Sequence, residues 1–256
     1  MNITLIGTGN VATVLGKSFI QKGHHILQII GRREDAAKEL TDTLKCPHSL
    51  SFKEVNQQSD LYIIAVSDNA VEQIIDEIII PPKSIIVHTA GGVSINVFKN
   101  RFKNFGVLYP LQSLRKENKE LPEIPFFVDA NNETAKIALY NFAKTISEKV
   151  SYATDEQRLK LHVAAVLTSN FPNFLYALTN DFCTKENIDF KNLLPLMQET
   201  INRLQRFNPA EMQTGPAIRK DMSTIEKHLD VLEGYPETKN IYRFLSDEIF
   251  AYFFKK

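Results

Sequence analysis

Two sets of residues in this chain have the types and spacings that chemistry needs. The first is the GxGxx[G/A] run Gly7-Thr8-Gly9-Asn10-Val11-Ala12. In such a run the first glycine permits a tight turn, the second lets backbone approach a pyrophosphate, and a small third residue lets helix pack on strand. The N–H groups and dipole at the start of the next helix favour the anion. The second set can move a proton. His162, Ser169 and Asn173 stand at i, i+7 and i+11, which on a continuous α-helix puts them on one face, with Asn170 beside them. Burying such a polar ladder is costly without partners, and a substrate is one partner it could have. His162 is then a candidate proton donor, with Ser169, Asn170 and Asn173 orienting the substrate. A core histidine with an interhelical hydrogen-bond ladder is the structural alternative. His88, beside Thr89 and the pair Gly91-Gly92, is either the rival acid or a strand-end histidine bonded to loop backbone, and Tyr109 is either a residue closing the same site on the substrate or a core aromatic with a wet tip.

These residues need elements to position them, and the first half of the chain supplies a strand-helix alternation. Asn2 to Ile6 reads as a strand feeding the glycine turn, and the apolar-periodic Val14, Leu15 and Phe19 read as the helix after it. Ile26 to Ile30 is a second buried strand. At its tip, where an Asp or Glu would hold the adenosine ribose of NAD, stands Gly31, followed by Arg32 and Arg33. A guanidinium fork matches a phosphate monoester, so the pattern points to NADP, with Arg32 on the 2′-phosphate and Arg33 stacked on adenine, the alternative being that Arg32-Arg33-Glu34 opens a solvated helix. A helix over 34–44, an extended piece at 48–50 and a helical stretch over 52–57 follow. Next come a continuous apolar strand over 60–66, a helix capped by Ser67-Asp68, and a strand over 84–88. In a doubly wound sheet the loops after Val66 and Val87 face the same crevice as the glycine turn, which adds Val66, Ser67 and Thr89 to the expected cofactor contacts.

Past Phe105 the pattern changes. Strands are expected at 105–109, 125–128 and 150–152, with a helix at 133–145, and beyond Thr154 only helical periodicity remains: a long helix over 155–183, then 191–206, 222–232 and 238–254. The expected fold class is α/β, a doubly wound, mostly parallel Rossmann sheet followed by an all-α domain. The domains divide as 1–153 for the cofactor and 154–256 for substrate and dimerisation. The face Leu193, Leu194, Met197, Ile201, Leu204 suits a core or a dimer interface, because sharing burial across a two-fold axis enlarges a small helical core. Arg219, in the turn-rich stretch from Thr214 to Asp221, is either a solvated charge in a connector or a clamp on an anionic substrate.

Composition narrows the classes. The 256 residues carry 30 basic and 30 acidic side chains and are 43% hydrophobic, which argues for a globular chain and against a nucleic-acid-binding field. No apolar stretch approaches the ~18 residues of a membrane span, and the chain opens in a core strand without a leader, so the expected location is the cytoplasm. Cys46 and Cys183 lie far apart and outside any ligand cluster, so no metal is expected.

Four segments carry a resemblance: His88-Thr89-Ala90-Gly91-Gly92, Tyr109-Pro110-Leu111-Gln112, Thr168-Ser169-Asn170-Phe171 and Thr214 to Asp221. Together they resemble bacterial Rossmann-like proteins labelled NADP oxidoreductases that carry a C-terminal helical domain of unknown function. The N-terminal half is also similar to pyrroline-carboxylate reductase and the deazaflavin-dependent NADP oxidoreductase domain, and the helical half to 6-phosphogluconate and 3-hydroxyisobutyrate dehydrogenases. The resemblance implies the fold, the NADP cofactor and a homodimer. It does not carry over the lysine and asparagine, four residues apart, of the last two enzymes, because Lys160 is followed by Ala164 at that position. The expected activity is hydride transfer to or from a small polar carbonyl, imine or hydroxy compound in a cleft between domains. A non-catalytic NADP-binding sensor is the alternative.

Overall fold

The structure is a computed structural model that describes residues 1–118 and 120–254. Strand β1 (Asn2–Ile6) runs into the glycine turn and helix α1 (Asn10–Gln21), followed by β2 (His25–Ile30) and α2 (Glu34–Leu44). Then come β3 (His48–Ser49), β4 (Leu61–Ile64), α3 (Val71–Glu77), β5 (Ile85–His88) and β6 (Phe105–Pro110). The sheet is completed by β7 (Phe126–Ala130), α4 (Glu133–Ile146) and β8 (Val150–Tyr152).

The strand order is β3-β2-β1-β4-β5-β6-β7-β8, parallel throughout except where β6 meets β7. The pairs Ile6↔Ile64 and Ile64↔His88 align the ends of β1, β4 and β5, so the segments that follow them emerge on one edge of the sheet. The apolar runs of the central strands reflect cover on both faces. One face packs Leu5, Ile63, Val87 and Leu108 with α1, α2 and α4. The other packs Ile6, Ile64, Ile86 and Phe105 with α3 and Phe98.

One expected helix is absent. Residues 52–57 form turns rather than a helix, because side chains take the backbone donors: Lys53 N–H donates to Ser51 Oγ and Asn56 N–H to Gln28 Oε1. The helix expected after Ser67 begins with a 3₁₀ turn, and the Ser67 side chain makes no cap bond.

The long helix expected over 155–183 is also interrupted. Helix α5 (Asp155–Ala165) opens with a capping box, in which Thr154 Oγ1 accepts from Gln157 N–H and the Gln157 side chain accepts from Thr154 N–H. A π-helical turn over Val166–Asn170 follows, and only then α6 (Phe171–Lys185). Two residues account for the break. Pro172 has no N–H to give the carbonyl four residues earlier, and Thr168 Oγ1 donates back to the Ala164 carbonyl. Helices α7 (Leu194–Leu204), α8 (Met222–Val231) and α9 (Pro236–Phe254) complete the chain.

The chain forms two compact units, Met1–Ser169 and Asn170–Lys256. The sequence pattern put the junction after residue 153, where strand signals stop. The first unit extends through α5 because Asp155 and Arg158 in its first turn bond to the segment after β5. Among the described residues no helix is long and apolar enough to cross a membrane.

Candidate functional site

The glycine turn lines a cleft of about 440 Å³ with Gly31, Arg32 and Arg33 from the end of β2 and Ala65, Val66 and Ser67 from the end of β4. Gly7 has φ +122, and a Cβ there would stand 2.2 Å from the Ala65 carbonyl oxygen, so only glycine serves. At Gly9 a Cβ would meet nothing, because the backbone there faces open space. The first turn of α1 has no acidic residue and no side-chain cap, so its free N–H groups and positive dipole end are available to an anion. Asn10 also lines the cleft, and its Oδ1 accepts from Lys116 N–H at 3.2 Å. Ala12 is fully buried where α1 meets the sheet.

The absence of an acid at the β2 tip has a packing cause. A Cβ on Gly31 would come within 2.6 Å of Thr8 Cγ2, so a ribose-binding Asp there would require the Thr8 side chain to move. The two arginines beyond it differ. Arg33 is paired with Asp35, which holds the guanidinium above its ordinary pKa. Arg32 is exposed and has no ion pair among the described residues, so its fork is free. The donor set, a glycine cradle, an uncapped helix start and a free guanidinium, fits the pyrophosphate and 2′-phosphate of NADP. Thr89 is engaged elsewhere, with both its N–H and its Oγ1 directed at the Ile64 carbonyl.

The two candidate acids occupy opposite environments. His88 is fully buried, stacks on Phe98 with ring centroids 5.6 Å apart, and accepts from Ala90 N–H through Nδ1. Burial, then the nearby Arg158 charge, lowers its pKa to about 4, against an opposing pull from Asp155 and the Ser94 backbone. It is a neutral imidazole with no accessible surface. His162 is exposed, and its Nδ1 lies 3.1 Å from Tyr109 Oη. Tyr109 is 6% exposed, and burial raises the pKa of its hydroxyl. The structure thus brings together Tyr109 and His162, which the sequence offered separately.

The ladder of His162, Ser169 and Asn173 does not form as expected. The spacing assumed 3.6 residues per turn throughout, but the π turn takes more residues per turn and moves Ser169 and Asn173 off the line of His162. Ser169, Asn170 and Asn173 are all exposed rather than buried. In the second unit Arg219 is exposed, on a turn that follows Gly215 at φ +109.

Two residues that the sequence reading passed over are Asp155 and Arg158. The Asp155 carboxylate accepts from Ser94 Oγ and from Ile95 N–H at 3.1 Å, and it pairs with Arg158 at 2.8 Å. Burial opposes its charge, but these bonds outweigh that and hold its pKa below the usual carboxylate range. An acid and a base three apart at a helix start read as a solvated pair, and no local signal shows that Arg158 is 1% exposed. Among the described residues no cluster of three His, Cys, Asp or Glu side chains could hold a metal ion.

Comparison with known proteins agrees with this geometry. Residues 2–92 match the family model described as NADP oxidoreductase coenzyme F420-dependent, and residues 124–249 match a domain of unknown function, DUF2520. A Bacteroides fragilis protein, BF3122, described as a "putative NADP oxidoreductase", is 37% identical, with 97% of each chain covered and a TM-score of 0.91. Pyrroline-5-carboxylate reductase from Streptococcus pyogenes shares the fold at 15% identity, with 98% of each chain covered and a TM-score of 0.64. So does a reductive aminase from Aspergillus terreus, in complex with NADPH and ethyl-5-oxohexanoate, at 16% identity, 96% and 92% coverage and a TM-score of 0.69. No curated protein matches the chain.

Proposed function

This chain belongs to the NADP oxidoreductase family that carries the DUF2520 domain, and from that premise we propose that it binds NADP(H) and reduces a small polar imine or carbonyl compound, or oxidises the corresponding amine or alcohol. The observation that carries the reading is the cleft in which Gly31, packed on Thr8, stands where a ribose-binding acid would while Arg32 offers a free guanidinium. Gly7, Thr8, Gly9, Asn10, Val11 and Ala12 would cradle the pyrophosphate, and Val66 and Ser67 would flank it. Bound there, the nicotinamide supplies a hydride. The Tyr109–His162 pair supplies the proton that a reduction also needs, and it is the accessible acid where His88 is not.

We infer further that the protein is a homodimer through its helical unit, which supports many exposed apolar side chains and few buried ones. Binding of NADPH and NADH to wild type and Arg32→Ala tests the cofactor assignment. The variant should lose about tenfold or more in NADPH affinity, as expected for a charged hydrogen-bonded contact, with NADH unchanged. An unaltered preference rejects the role of Arg32. Turnover of a panel of imines, carbonyls and alcohols tests the reaction, and tight NADPH binding with no turnover across the panel would favour a sensor.

A further inference from the structure

Behind the Tyr109–His162 pair lie two buried guanidinium donors without an acceptor among the described residues. Arg158 directs Nη2 at the Val93 carbonyl and at Asp155, but among the described residues its Nε and Nη1 have no partner. A guanidinium keeps its charge at any working pH, and taking it out of water is costly unless that charge is used.

The strand register and the helix spacing place this charge relative to the pair. His88 pairs with Val107 in the β5–β6 register, and Tyr109 is two residues further along β6, so His88 and Tyr109 share a face of the sheet. Arg158 and His162 are four apart on α5, on adjacent turns of one helix face. The His162 ring packs on Gly91, where a Cβ would come within 2.8 Å of it. A buried hydroxyl is therefore bonded to a solvent-exposed imidazole, with a buried cation on the turn before that imidazole.

We propose that Tyr109 gives the proton to the substrate, that His162 returns it from solvent, and that Arg158, without touching substrate, stabilises the phenolate left between the two events. With NADPH as reductant, the substrate carbon gains a C–H bond and its C=N or C=O π pair passes to the heteroatom. The Tyr109 Oη–H bond then breaks to protonate that pair. NADPH is oxidised, the substrate is reduced, and the phenolate takes a proton from His162, which water reprotonates. Other charged groups also face the hydroxyl. Asp68, after β4, opposes its ionisation and Arg158 favours it, while Asp155 balances Arg158 and His88 is neutral. The proposal rests on the reductase reading, so its test has an arm independent of turnover.

In the cofactor-free protein, the tyrosinate absorbance of Tyr109 is titrated as the difference from Tyr109→Phe. Arg158→Gln should raise the midpoint by about one pH unit or more, and Arg158→Lys, which keeps the cation and the fold if the glutamine variant loses it, should stay closer to wild type. A midpoint that is the same in all foldable variants overturns the role of Arg158. In turnover, Tyr109→Phe should lose about a hundredfold in kcat with NADPH affinity within about twofold, and His162→Gln should lose less and recover with added imidazole. Full turnover by Tyr109→Phe overturns the role of Tyr109. If wild type reduces nothing, the reductase reading falls, and the titration still decides whether Arg158 and Tyr109 are coupled.

Discussion

The two units of this chain solve the problem of burial differently. In residues 1–169 every central strand is sealed on both faces, and the sheet residues Ile3, Leu5, Ile29, Ile63, Ile86 and Val107 have no exposed surface. In residues 170–254, among the described residues, only Cys183, Ala217, Ile225 and Leu232 are buried, and helices α7 and α9 bury nothing. Leu196, Val231, Phe244 and Tyr252 are each at least 60% exposed. The first unit holds a complete core and can present a rigid site. The second has apolar surface in excess of what one chain covers, the condition in which a helical domain gains most from a second copy.

The largest expected effect breaks the first unit at its tightest point. Gly7→Ala puts a Cβ against the Ala65 carbonyl at positive φ, which should cost about 3 kcal/mol of stability and abolish measurable NADPH binding. Thermal unfolding and a binding titration check both, and near-native binding would show that the turn is not the cofactor cradle.

A smaller effect probes the second unit. Ile201→Glu puts a charge on a side chain 51% exposed in the single chain, so a monomer should change by no more than about 0.5 kcal/mol. A dimer that buries this face should instead dissociate about a hundredfold more readily, while NADPH binding by the first unit persists. Sedimentation at several concentrations distinguishes the two, and a wild type that sediments as a monomer rejects the difference between the units as we read it.

The third effect is a pH dependence confined to the first unit. The folded-state pKa of His88 is depressed to about 4, so the unfolded chain takes up a proton near pH 6.5 that the folded chain refuses. The His88 contribution is fully present above about pH 6.5 and is lost as pH falls towards 4, on the order of 3 kcal/mol in all. Asp155, also depressed, adds a loss at still lower pH. Denaturant unfolding of wild type and His88→Phe across this range should show a flatter curve for the variant, and parallel curves would place the titrating group elsewhere.

What the sequence disclosed follows the range of the forces involved. The strands, the helices α1, α2 and α4, and the glycine cradle are set by neighbours along the chain, and these were legible. The turns at 52–57 were not, because Gln28 reaches them from another strand. The π turn was hidden because Pro172 and Thr168 each suit a helix start or interior until their bonds are counted together. Arg158 was missed for the same kind of reason, since the carbonyl it bonds lies 65 residues earlier. Tyr109 and His162 were each named, but a contact spanning 53 residues has no local signature.

The contact between Gly31 and Thr8 bears on how cofactor preference could change over evolutionary time. An aspartate at position 31, the simplest step towards NAD, puts its Cβ within 2.6 Å of the Thr8 methyl and has to push that side chain aside before it can hold a ribose. Trimming Thr8 first opens the space but brings no new ligand with it. The order of the two changes therefore matters, and a lineage starting from this sequence exchanges one nicotinamide pool for the other most readily by changing Thr8 before Gly31.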